Sequence, residues 1–191
     1  VSGAVAIELV GEALQDEAVA RVYQSAALGG EVAGHITPFS AAGSPLVRNL
    51  ELTVSVGYNS RAGFLVDEDG VKSQVATSIW HAPITLMGGP RWMFGKVDLG
   101  VAAGPSWVVW GEKPGAHDAG YTGAKPGMLG EINVRIDPRV FVVGSGPPPT
   151  MMRIEAAVGW RAQWPGSACG WDCGLDLGGP RVSLGVVAVL K

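Results

Sequence analysis

The chain is short of charge. Only 16% of its 191 residues are Asp, Glu, Lys or Arg, while 47% are hydrophobic; ordinary soluble domains carry about 25% charged residues. So little charge leaves a water-facing surface thinly covered. Also missing is any run of about 18 or more consecutive apolar residues, which a membrane-crossing helix requires. The most hydrophobic long window, 75–87, is broken by His81 and Pro83. A helical membrane protein is thereby excluded, and the apolar content excludes an intrinsically disordered chain. With a net charge of −3 and no basic stripe, nucleic acid is not an expected partner. No phosphate loop, zinc motif or nucleotide fingerprint occurs, so neither a cofactor nor a metal is expected.

Cysteine is nearly absent. The two, Cys169 and Cys173, stand in Cys-Gly-Trp-Asp-Cys. Three intervening residues close a small disulfide ring if the backbone bends; a pair of free thiols is the other reading, and zinc would lack a second ligand pair. The acidic run Asp67-Glu68-Asp69-Gly70 lacks the spaced ligands of a calcium loop and reads as a solvated hairpin tip.

What the chain does have is turn formers and alternation. Its 29 Gly and 13 Pro disfavour helices. In Leu50-Glu51-Leu52-Thr53-Val54-Ser55-Val56-Gly57-Tyr58 every even position is apolar and every odd one polar or Gly, the signature of a strand with two unlike faces. The same period recurs in 132–136, 154–161, 97–102 and 182–186, and less purely in 5–12, 26–37 and 75–87. Eight strands are predicted, at 4–13, 22–37, 49–64, 73–89, 96–111, 123–136, 151–164 and 178–190, within a single domain spanning 1–191. They are long: soluble sheets use strands of about 5 or 6 residues, whereas a tilted strand crossing a bilayer needs about 9 to 11.

The composition of the two faces separates a soluble sheet from a membrane barrel. The non-apolar face is mostly Gly, Ala and Ser, and Lys72, Lys96, Lys113, Lys125 and Lys191 all fall near strand ends or in connections. Small residues suit the crowded interior of an eight-stranded barrel. The charges predicted to point inward are Glu8, Glu12, Glu31, His35, Glu51, Asp98, Glu131, Arg135, Arg153, Glu155 and Arg161. Unpaired charges cost several kcal/mol each in such a space, so these groups are expected to form one network, with the arginines shared among the carboxylates. Tyr58, Trp80, Trp92, Trp107, Trp110, Trp160 and Trp164 lie toward strand ends, as in the aromatic girdles of membrane barrels.

These features resemble the small outer-membrane β-barrel proteins of Gram-negative bacteria, the OmpA-like and OmpX-like group. The resemblance rests on the eight alternating segments, on Gly-Gly-Pro-Arg-Trp-Met-Phe-Gly-Lys at 88–96 leading into the next strand, and on the closing 182–190 strand. It implies an all-β, eight-stranded antiparallel up-and-down barrel in the outer membrane, in contact with the lipid bilayer and lipopolysaccharide, with both termini in the periplasm. Outside loops would then fall at 14–21, 65–72, 112–122 and 165–177, and turns at 38–48, 90–95 and 137–150. The last turn is long for a periplasmic turn, which reads first as an insertion, and otherwise as a hairpin extended past the membrane or a contact for another envelope protein. Placing Cys169 and Cys173 in an outside loop favours the disulfide. One departure is the end in Leu190-Lys191, where barrels of this type usually carry an aromatic residue.

Display of the outside loops on a plugged, lipid-embedded scaffold is the expected function, in a porin-like fold without a catalytic site. Two other readings stay open. Some barrels of this class modify lipid A with a His, a Ser and an acid, which directs attention to His35, His81 and His117, although no segment reproduces a catalytic spacing. A soluble β-barrel binding an apolar ligand is the third.

Overall fold

Residues 2–66, 71–114, 120–138, 152–164 and 176–190 are described in a computed structural model. Eight strands follow in chain order: β1 (Ser2–Ala13), β2 (Ala26–Thr37), β3 (Leu50–Val66), β4 (Lys72–Phe94), β5 (Val97–Pro114), β6 (Tyr121–Ile136), β7 (Met152–Gln163) and β8 (Gly179–Leu190). Each pairs antiparallel with its chain neighbours, and β8 returns to β1, from Gly3 opposite Leu190 to Glu12 opposite Arg181, closing the barrel. We call the end where β1 begins and β8 finishes proximal, and the other end distal.

The alternation sets the polarity of the wall. In β1, Val5, Ile7 and Leu9 are exposed while Ala4, Ala6, Glu8, Val10 and Glu12 are buried; in β8, Val182, Leu184 and Val186 are exposed while Arg181 and Ser183 are buried. A period-2 strand puts alternate side chains on opposite faces, so the outer face is apolar while the inner face carries the charged groups together with small and some apolar ones. Exposed charges among the described residues, such as Arg21, Lys72, Lys96 and Lys113, sit at strand ends or in connections.

Two boundaries differ from the sequence expectation by more than three residues. The second strand begins at Ala26 and not at 22, and the predicted outside loop 14–21 runs into the short helix α1 (Glu17–Val22), whose Val19, together with Tyr23 just beyond it, turns into the barrel mouth. The Gly-Gly-Pro segment predicted to turn at 90–95 continues β4 to Phe94, and the reversal is the two residues Gly95-Lys96, with Gly95 at φ 68°. Only glycine adopts that left-handed conformation freely. A second short helix, α2 (Pro45–Arg48), with Pro at its first turn, occupies the proximal β2–β3 connection.

Glycines let β4 and β5 approach closely. A Cβ on Gly89 would stand 1.8 Å from the Val101 carbonyl oxygen, and one on Gly104 2.0 Å from that of Leu86. Replacing either by Val should therefore lower stability by about 1–3 kcal/mol or more, read as an earlier urea midpoint in detergent micelles. Gly34→Ala, where an added Cβ meets nothing within 4 Å, should leave the midpoint within about 0.5 kcal/mol of the parent.

Candidate functional site in the barrel lumen

At the distal mouth the lumen is apolar. Val19 and Tyr23 from the β1–β2 connection meet Ile79 of β4, Val108 and Trp110 of β5, and Leu177 ahead of β8. The Tyr23 hydroxyl donates to Glu112 and lies 3.3 Å from Thr77 Oγ1. Burial, and then the Glu112 carboxylate, push its phenol pKa above the ordinary value. Arg61 ties the connection down from below, donating to the backbone carbonyls of Gln24 (3.0 Å) and Glu12 (3.1 Å).

Beneath this cap, charges occupy three levels. In the distal level Glu12 accepts from Arg161 (2.5 Å) and faces His81 Nε2 (2.7 Å). In the middle level Arg181 stands 3.2 Å from Glu31 and 3.9 Å from Glu8. In the proximal level Arg91 places Nε 3.1 Å and Nη2 2.9 Å from the two oxygens of Glu51. Arg135 bridges Glu51 and Glu155, each at 2.8 Å. Such fork-on-carboxylate bonds are charge-assisted and directional.

Of the residues predicted to point inward, the geometry brings together Glu12 with Arg161, Glu8 with Glu31, and Glu51 with Arg135, Glu155 and His35. Glu131 is half-buried and accepts from Asn133 at 3.1 Å. Asp98 is buried opposite Arg135 in the β5–β6 ladder, but the Arg135 fork is directed to Glu51 and Glu155 instead. Arg153 stands apart at the proximal rim, 26% exposed and 3.9 Å from Asp137.

Among the described residues, Arg61, Arg91 and Arg181 are buried participants missing from the predicted inward set, and His81, singled out only for the lipid-modifying reading, is another. Arg91 was hidden by the apparent turn at Gly-Gly-Pro. Arg61 and Arg181 carry the same parity as Glu51 and Ser183 in their strands, a signal that extending each register would have read. Trp110 corrects the girdle expectation. It is 4% exposed because its parity in β5 matches Val108, not Trp107, and its indole fills the space a Cβ on Gly123 would occupy. Tyr58, Trp80, Trp92, Trp107, Trp160 and Trp164 are exposed on the outer wall, with Tyr58 and Trp80 stacked at 6.4 Å.

For the lipid-modifying reading, Ser78 is exposed on the outer face whereas His81 is fully buried inside against Glu12, so the two do not meet. His117, the Asp67–Gly70 run and Cys169 with Cys173 lie outside the described residues.

Glu51 holds two guanidiniums at once, so Glu51→Ala should destabilise the barrel by about 3–5 kcal/mol through the buried charges it leaves unpaired. Arg153→Ala, which removes a partly exposed 3.9 Å pair, should cost no more than about 1 kcal/mol. Equilibrium unfolding in micelles compares the two.

No family model matches the chain, and no curated protein matches it by sequence. Among solved structures it is similar to Ail, the attachment invasion locus protein of Yersinia pestis. In complex with the heparin analogue sucrose octasulfate, that protein aligns with TM-score 0.53 at 10% identity over 99% of this chain and 97% of that one. Ail alone aligns with TM-score 0.50 at 9% identity, again over 99% and 97%. The N-terminal β-barrel domain of Pseudomonas aeruginosa OprF aligns with TM-score 0.48 at 14% identity, over 98% and 97%. At these identities the likeness establishes the fold: the closed eight-stranded antiparallel barrel found in bacterial outer-membrane proteins.

Proposed function

We propose that the chain is an outer-membrane barrel that acts as a rigid scaffold, displaying its distal connections to a partner or surface while its lumen stays closed. The observation that carries this reading is the inverted polarity of the wall. Ile7, Leu9 and Leu28 are 68%, 70% and 81% exposed, while Arg61, Arg161 and Glu155 are 2% exposed or less. A fully buried aliphatic side chain gains about 1.5–3 kcal/mol relative to an exposed one, and hydrocarbon is the medium that supplies this to an outer wall. A closed barrel satisfies its backbone polar groups within the sheet, as a lipid-embedded structure must.

Closure of the lumen is supported by the two kinds of contact across it. The apolar cluster at the distal mouth removes a wet path, and the guanidinium–carboxylate pairs below it fill a bore that eight strands leave barely wide enough for side chains. The contacts of the scaffold would be the bilayer and lipopolysaccharide around its waist, with an envelope protein at the proximal connections.

The chain refolded in detergent should migrate differently on a gel before and after boiling, and should need detergent or lipid to remain monodisperse. Purification as a monodisperse species without either would overturn the reading. In planar bilayers it should show no conductance above the background of empty membranes. Val56, 53% exposed and flanked by Val32 and Ile84 in the ladders, should cost about 2–4 kcal/mol when replaced by Arg if it faces the bilayer middle, measured by urea unfolding from lipid vesicles.

A further inference from the structure

Glu155, Gly185 and Glu8 stand in one row across β7, β8 and β1. The middle residue has no side chain, and a Cβ built on Gly185 would lie 2.6 Å from Glu8 Cγ. The Glu8 side chain therefore occupies the space above the glycine, on the side of Glu155. From β2, His35 enters the same space. Its Nδ1 lies 2.9 Å from Thr53 Oγ1 and 3.3 Å from Glu51 Oε1. A carboxylate only accepts, so the Glu51 contact favours the tautomer with the proton on Nδ1 and a lone pair on Nε2.

That lone pair has no hydrogen-bond partner. His35 is 5% exposed, and its Nε2 faces Glu155 Oε2 at 4.0 Å. One ligand atom from each of Glu8, His35 and Glu155 lies within 4.8 Å of the others. Three possible ligand atoms, an imidazole nitrogen and two carboxylate oxygens, thus converge in a buried space, a donor set that a cation satisfies. The guanidiniums leave room for one: Arg91 and Arg135 offset Glu51 and Glu155, whereas Glu8 and Glu31 share the single Arg181.

We propose that Glu8, His35 and Glu155 bind a divalent transition-metal ion of the zinc class inside the lumen. Imidazole with two carboxylates suits zinc and its neighbours, while calcium takes six to eight oxygens. Zinc holds N and O ligands at about 2.0–2.2 Å, so tetrahedral ligand atoms sit about 3.4 Å apart. The present spacings, 4.0 Å between His35 Nε2 and Glu155 Oε2 and at most 4.8 Å among the three, are about 1 Å wider, so the carboxylates would close in on a bound ion. Supporting contacts hold these ligands: Glu51 and Thr53 orient His35 through Nδ1, and Arg135 orients Glu155, the carboxylate–histidine–metal arrangement that fixes the imidazole. The bound ion would join β1, β2 and β7 across the bore.

The test uses the full chain carrying Cys169→Ser and Cys173→Ser, refolded in detergent and stripped with chelator. Zinc titration by calorimetry should show one saturable site per chain. His35→Gln and Glu8→Gln, each checked for heat-modifiable migration, should weaken it by about tenfold or more, while His81→Gln should bind as the parent does. X-ray absorption of the cobalt-loaded parent, which needs no variant, should report a single imidazole with oxygen donors. Absence of saturable binding, unchanged affinity in both folded variants, or a spectrum with two or more imidazoles would overturn the proposal.

Discussion

Closure of the sheet on itself is the constraint on which the other features depend. Once β8 pairs with β1 there is no free edge, so the wall needs no water to satisfy its backbone. Its outer face is then free to be apolar, and its inner face must accept whatever the alternate positions carry. Many of the described charged residues are thereby buried inside the barrel, where Arg91, Arg135, Arg161 and Arg181 each meet a carboxylate.

Glycine serves this geometry in two ways. At Gly89 and Gly104 it lets neighbouring strands approach where a Cβ would strike a carbonyl oxygen. At Gly111, Gly123 and Gly185 it clears space that a neighbour's larger side chain fills: Trp80 lies over Gly111, Trp110 over Gly123 and Glu8 over Gly185. The last of these brings two carboxylates on non-adjacent strands toward one histidine.

Much of the architecture was legible in the sequence. The eight strands, their length and their two-faced character follow from the period of residues such as Leu50–Tyr58, because side-chain alternation is a local property of extended backbone. The same parity placed Glu8, Glu12, Glu51 and Glu155 on the inner face. Its failures have local causes as well. Gly88-Gly89-Pro90 looks like a turn but continues a strand, which concealed Arg91. Residues 14–21 read as an outside loop, but Glu17–Val22 form the helix whose neighbour Tyr23 caps the mouth. Nearness to a strand end did not reveal that Trp110 points inward.

The sequence by itself determined which residues face the lumen and which face out, since that depends only on parity along each strand. Partner choice inside the lumen was decided by the tertiary structure alone. Glu12 meets Arg161, and Glu51 holds both Arg91 and Arg135, across separations that no local pattern encodes. Those meetings depend on the register of every ladder and on closure of the ring, which together set the height each side chain reaches in the bore.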